Sequence, residues 1–306
     1  MKKLYYIGIT LLALASCSKP NSQESLTNYV DPFIGSGGHG HVFVGASVPF
    51  GMVQLGPTSI NQTWDWCSGY HQDEASVIGF SHTHLSGTGI GDLFDITVMP
   101  VNGDSLTFAR GRESDPESGL WSYADRTRET VRPGYYSVYL TRYGVTAELT
   151  ATNRVGMHRY TFDEAEGNGI VIDLRNGGCW DSTTDAYIEY VDSTTVRGWR
   201  FSRGWADDQK IYFYAEFSKP FTSADIIRNE VRIRENETKV MPTYMHVRFR
   251  TGKDEQVLMK VALSSVNMQG AYENMQYDLG GGDFDETVRQ AGNLWNEELS
   301  RIRIET

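Results

Sequence analysis

Residues 244–250 read Tyr-Met-His-Val-Arg-Phe-Arg. In an extended chain Met245, Val247 and Phe249 project to one side, while His246, Arg248 and Arg250 project to the other. That alternation predicts a strand with one face on a core and one toward water. Working outward, the same period of two, or a short apolar run closed by Gly, Asn or Asp, recurs nine more times. The segments are Tyr135–Leu140, Val145–Thr150, Met157–Phe162, Ile170–Leu174, Tyr187–Val191, Thr195–Phe201, Ile211–Phe217, Val231–Arg234 and Val257–Leu263. Ten strands with short connections and almost no helix between them predict a mainly β chain folded as an antiparallel β-sandwich.

Composition agrees with a globular β protein. Of 306 residues, 40% are hydrophobic and 22% charged, which excludes a disordered or disulfide-scaffold chain. The net charge of −11 makes nucleic acid or an anionic membrane surface a poor partner. Seven Trp, 17 Tyr and 31 Gly suit strands, tight turns and an amphipathic binding surface, so carbohydrate is a ligand class to weigh.

The N-terminus reads as an address. Lys2 and Lys3 precede an apolar run, Leu4 to Ala15, that is too short to span a bilayer. It ends Leu14-Ala15-Ser16-Cys17, which resembles a lipobox. Residues 1–16 are then a signal peptide, Cys17 the lipidation site and residues 17–27 a polar tether. The expectation is a bacterial lipoprotein of the outer membrane, on its periplasmic face or at the cell surface. It would touch the membrane only through the lipid anchor. Cys67 and Cys179 remain, as a disulfide or as two free thiols; sequence leaves both open.

At the other end the period changes. Phe284, Val288, Ala291, Trp295, Leu299 and Ile302 step by three or four, which predicts a helix over Asp283–Ile302 with an apolar stripe. Nothing follows it to cover that stripe, so residues 283–306 are expected to be a linker helix leading into a further domain.

Residues 28–125 show little periodicity and read as long loops or irregular edges rich in Gly, His and Trp. Four clusters there and beyond can carry chemistry. Gly35-Ser36-Gly37-Gly38-His39-Gly40-His41 lacks the Lys and the following helix of a phosphate loop and suits a tight turn beside a pocket. Trp64-Asp65-Trp66-Cys67-Ser68-Gly69-Tyr70-His71 interleaves rings that stack on sugar C–H faces with a carboxylate that accepts from hydroxyl groups; a buried Trp pair is the plainer alternative. His82-Thr83-His84-Leu85-Ser86, with Asp92 and Asp95 behind it, places two His on one side of a strand. With His39 and His41 this raises a His-ligated metal, but neutral His bonded to backbone or to sugar hydroxyls fits better. Arg203-Gly204-Trp205-Ala206-Asp207-Asp208-Gln209 reads as a solvated hairpin or a pocket rim. Glycoside hydrolysis needs one protonated and one ionised carboxyl, and the spacing of Asp65, Asp92 and Asp95 selects no pair.

Several ordered motifs resemble glycoside hydrolase family 92. They are Val30-Asp31-Pro32-Phe33-Ile34-Gly35, then Val48-Pro49-Phe50-Gly51-Met52-Val53-Gln54-Leu55, the segments at 64–71 and 79–89, and those at 133–138, 154–162, 214–221 and 294–302. The resemblance implies a calcium-dependent, inverting exo-α-mannosidase that trims terminal α-linked mannose from N-glycans or mannans, with α-1,2 linkages the first expectation. It implies an N-terminal sandwich (28–282) partnered by an (α/α)6 barrel that supplies the acid, the base and most Ca²⁺ ligands. The chain then carries no catalytic and no metal-binding residue of its own and is inactive alone. Its expected substrate-binding residues are Trp64, Asp65, Trp66, Cys67, His82, His84 and Ser86, with Gly38 and His39 nearby. The expected partners are mannose-containing glycans and the barrel, with no nucleic acid. The alternatives are an autonomous mannoside-binding lipoprotein without hydrolase activity and, behind it, a His-metal hydrolase.

Overall fold

The structure, a computed structural model, describes residues 25–302 and 304 apart from 104, 176, 235 and 236. Residues 1–16, Cys17 and most of the 17–27 tether lie outside the described residues.

Two antiparallel sheets face each other. The seven-stranded sheet runs Ala46–Ser47, Gln54–Thr58, Gly79–Ser81, Thr97–Asn102, Asn168–Asp173, Glu237–Arg248, Ser223–Arg234 in spatial order. The nine-stranded sheet runs Ser182–Asp192, Thr195–Arg203, Gln209–Phe217, Gln256–Ser264, Val155–Phe162, Val145–Ala151, Tyr135–Leu140, Ser122–Arg132, Ser76–Val77. A small hairpin, Arg110–Arg112 with Asp115–Gly119, stands apart. Inward residues of both sheets form one core: Leu55, Phe80, Val98, Ile170, Met245 and Val247 from the first, Tyr136, Val138, Leu149, Tyr160, Phe213 and Val261 from the second. Phe80 bridges the layers, its ring 6.4 Å from both Tyr136 and Tyr160. This is the face-to-face packing by which alternating strands bury their apolar sides.

All ten segments expected as strands are strands, so the mainly β sandwich stands. Three features differ. Residues 28–125 are not merely loops: Gln54–Thr58, Gly79–Ser81 and Thr97–Asn102 build almost half of one sheet. Thr97–Asn102 is buried on both faces along most of its length, and such a strand shows no alternation to read. His246, expected on the water side, is buried because Phe108 packs against its ring at 5.9 Å.

The third difference lies at the C-terminus. A helix not foreseen, Met268–Leu279, starts where the Asn267 side chain accepts from Gly270 N–H and ends at Gly280 in the left-handed region, φ +52°. It rests Ala271 and Met275 on the outer side of the nine-stranded sheet. Asp278 clamps it there through Arg154 and Thr152. The foreseen helix spans Phe284–Leu299, capped by Asp283, whose carboxylate accepts from Glu286 N–H at 2.8 Å. Its stripe is not bare along its whole length. Phe284, Thr287 and Ala291 are buried, and Trp295 donates its indole N–H to the Ser47 carbonyl at 2.7 Å. Only the far end, Leu294 and Ile302, stands in water.

Candidate functional site

Three loops meet beside the edge strand Ala46–Ser47: residues 35–45, the short 3-10 turn Trp64–Trp66 and residues 85–92. The first is a tight turn. Val42 N–H closes it on the Gly35 carbonyl at 3.1 Å, and a Cβ on Gly40 would lie 2.0 Å from that oxygen, so only glycine fits there. The turn throws His39 and His41 toward Trp64-Asp65.

Asp65 is the hub. Its Oδ1 accepts from His39 Nδ1 at 2.6 Å and faces His41 Nε2 at 3.4 Å. The His39 hydrogen bond, with His41 adding to it, holds the Asp65 carboxyl below its ordinary value against the opposing effect of desolvation. Because Nδ1 of His39 is engaged, its Nε2 points outward, and the side chain is 76% exposed. Trp64 is 50% exposed. Its indole N–H donates to the Gly89 carbonyl at 3.2 Å, and its ring lies edge-on to His41 with centroids 4.3 Å apart. Ser86 sits across the gap, accepting from Phe43 N–H at 3.1 Å. The result is an open shelf of one indole, one imidazole and one ionised carboxylate. Such a surface offers a face to C–H groups and acceptors to hydroxyls.

The residues singled out from the sequence therefore divide. Gly38, His39, Trp64 and Asp65 come together at the surface, and Ser86 is exposed on the adjoining loop, bonded to Phe43. Trp66 is half-buried, stacked on His71 at 4.4 Å. Cys67, His82 and His84, by contrast, are interior, behind that surface. His82 donates from Nδ1 to the Ile96 carbonyl at 2.7 Å, which leaves its Nε2 an acceptor for His158 Nε2–H at 3.0 Å. His158 Nδ1 in turn accepts from the Tyr160 hydroxyl at 2.7 Å. His84 donates from Nδ1 to the Gln54 carbonyl at 2.8 Å. Burial lowers both His82 and His84 to about 4, so they are neutral core rings that tie loop to strand. His41, buried, stands behind the shelf against Asp65 and Trp64; its signal in the sequence is the spacing to His39.

Neither remaining acid is free for chemistry. Asp95 is fully buried, accepting from Arg200 at 2.5 Å, Thr83 at 2.7 Å and Gln209 at 2.7 Å. Asp92 is buried too and accepts the backbone N–H groups of Trp205 and Ala206. Asp65, ionised, does not serve as the protonated partner that glycoside hydrolysis needs. Among the described residues no group of three His, Cys, Asp or Glu side chains is arranged to hold a metal ion. Cys67 and Cys179 are free thiols; burial pushes Cys67 upward and Cys179 to about 12.

Residues 29–264 match the glycosyl hydrolase family 92 N-terminal domain, and the chain belongs to that family. A solved α-mannosidase, BT3965 from Bacteroides thetaiotaomicron, in complex with mannoimidazole, superposes with a TM-score of 0.84 at 35% identity. That match covers 92% of this chain and 38% of the mannosidase. The inverting mannosidase BT2199 of the same organism shares the fold, with a TM-score of 0.75 at 21% identity over 92% of this chain and 37% of its own. An uncharacterized secreted glycosidase of Arthroderma benhamiae is 26% identical over 97% of this chain and 41% of its own length. The chain thus spans about two fifths of the length of these relatives.

Proposed function

We propose that this chain is the mannoside-facing sandwich of an exo-acting α-mannosidase that hydrolyses terminal α-linked mannose of N-glycans or mannans, with inversion and with Ca²⁺. The observation that carries the reading is the His39–Asp65–Trp64 shelf on a fold of this family. In it Asp65, ionised, accepts from sugar hydroxyls; His39 Nε2 adds a second polar contact; Trp64 covers the apolar face of the ring and helps exclude water. The acid, the base and the calcium ligands belong to an (α/α)6 barrel outside these 306 residues, which makes the chain inactive alone. Export as a lipoprotein acylated at Cys17 would put the shelf where glycans are met.

The test is binding of methyl α-mannoside to the chain by ligand-observed NMR, beside Trp64→Ala and His39→Ala. Each variant should weaken binding by about tenfold or more while the melting temperature holds. Binding that survives both substitutions would move the site elsewhere. Hydrolysis of an aryl mannoside by the chain itself would overturn the assignment of acid and base to another domain. A second reading, an autonomous mannoside-binding module, is favoured by the seating of Phe284–Leu299 on the sandwich, which gives the described part a closed fold. It differs in one outcome: a barrel domain supplied alongside neither binds the chain nor confers hydrolysis.

A further inference from the structure

Loop 87–96 departs from ordinary backbone geometry. Leu93, Phe94 and Ile96 all lie in the left-handed region, at φ +78°, +61° and +51°. For side chains of this size such a backbone conformation is unfavourable, and it persists only where the surroundings over-determine it. They do so here. Asp95 is held by Arg200, Thr83 and Gln209; Phe94 N–H donates to the Thr83 carbonyl at 3.0 Å; Gly178 N–H donates to the Leu93 carbonyl at 2.9 Å.

Three exposed tryptophans drawn from distant parts of the chain are anchored on this loop between Gly89 and Asp92. Trp64 is anchored on the Gly89 carbonyl by its ring N–H at 3.2 Å. Trp180 is anchored on the Gly91 carbonyl by its backbone N–H at 3.1 Å, and its ring lies 3.2 Å from the place a Gly91 Cβ would take. Trp205, at the tip of a hairpin, is anchored on Asp92, whose Oδ2 accepts from Trp205 N–H at 2.6 Å and Ala206 N–H at 3.2 Å. The three are 50%, 49% and 78% exposed. Single exposed apolar residues are ordinary, but three indoles fixed along four consecutive residues form a patch with a purpose. Gly89 to Asp92 spans at most about 10 Å of extended chain, the scale of a short oligosaccharide. Exposed Arg203, Asp207 and Asp208 stand beside Trp205 and supply hydrogen-bonding groups.

We infer that Trp180 and Trp205 form distal sugar subsites, continuing from Trp64, which bind the leaving-group side of an extended α-linked manno-oligosaccharide. This rests on the mannoside reading of the Trp64 shelf and adds to it a preference for chain length. The loop acts as the rail on which the three residues are anchored.

The experiment titrates the chain with methyl α-mannoside, an α-mannobiose and an α-mannotetraose, following tryptophan fluorescence and heat. Affinity should rise about tenfold or more from the monosaccharide to the tetraose. Trp180→Ala and Trp205→Ala should each remove most of that rise and leave monosaccharide binding and melting temperature as they were; Trp64→Ala should weaken every ligand. Equal affinity for all lengths, or a rise that persists in the Trp180→Ala, Trp205→Ala double variant, overturns the inference while sparing the shelf. Tetraose binding that depends on Trp180 and Trp205 without any monosaccharide binding sustains the inference and counts against the shelf. No binding at any length overturns both.

Discussion

Lowering the pH from 7.5 to 5.0 should destabilise this fold steeply, through histidines that the surface never sees. His82, His84 and His246 are buried, and burial lowers each to about 4. In the unfolded chain they return to an ordinary value of about 6.5. As pH falls through 6.5 the unfolded chain takes up protons that the folded chain refuses, so stability rises with pH across this window and is lost on acidification. At pH 5.0 each ring is 1.5 pK units below its unfolded value, worth about 2 kcal/mol at 1.36 kcal/mol per unit, and the three together about 6 kcal/mol. Domains of ordinary stability have about 5–15 kcal/mol in all. His158, held well below its usual range by burial, adds in the same direction. Carboxylates with lowered values, Glu148 and Asp65 among them, act only at lower pH, and Asp181, raised by burial, works the other way. The window between pH 7.5 and 5.0 therefore belongs to histidine.

Urea unfolding at fixed ionic strength, followed by tryptophan fluorescence at pH 7.5, 6.5, 5.5 and 5.0, measures the fall directly. A loss below about 1 kcal/mol over the whole range would refute the assignment of neutral, proton-refusing rings. A second variant locates the effect. Among the described residues both ring nitrogens of His246 are buried without a hydrogen-bond partner, so His246→Leu removes an unsatisfied group as well as a titrating one. It should be no less stable than the parent at pH 7.5 and should lose about a third of the pH dependence.

Other parts of the framework give sharp outcomes. Arg200→Met strands the buried carboxylates of Asp95 and Asp181 and should cost about 3–5 kcal/mol, read as a drop in urea midpoint. Asp278→Ala unclamps the helix Met268–Leu279 from Arg154 and should open residues 265–282 to limited proteolysis while the sandwich strands stay protected. In a Cys17→Ser chain, Cys67 and Cys179 should react with a thiol reagent only slowly at pH 8 and rapidly in denaturant, since burial raises both thiols.

The strands legible in the sequence are those with one face in the core and one in water. Val145–Ala151 buries Val145, Ala147 and Leu149 and half exposes the residues between them, so its alternation survives in the letters. Thr97–Asn102 lies between two neighbours and under further chain, and burial on both faces erases the period. The helix Met268–Leu279 is short, and only Ala271 and Met275 are buried in it; its hold on the fold comes from Asp278 and Arg154, a polar contact between residues 124 apart. No local pattern reports such a pairing. The tail helix was legible as an amphipathic stripe, but not what covers it. The partner surface includes Ser47, more than two hundred residues upstream.

The two His-x-His pairs show why the candidate site was only half legible. His39 and His41 stand at the same spacing as His82 and His84, yet their fates are opposite. The first pair sits in a turn that Gly35 and Gly40 close tightly, so that both side chains turn onto Asp65, His39 from the solvent side and His41 from beneath. The second follows directly on the strand Gly79–Ser81, and its rings enter the core, where Ile96 and Gln54 carbonyls satisfy them. Gly156 completes the difference: a Cβ there would lie 2.7 Å from the His82 ring, so a glycine on the opposite sheet makes room for an interior imidazole. The chemistry of a histidine pair is thus decided by the backbone under it and by a residue seventy positions away. The same logic turns Asp92 and Asp95, read as candidate carboxylates, into the anchors of loop 87–96, against which Trp64, Trp180 and Trp205 are held.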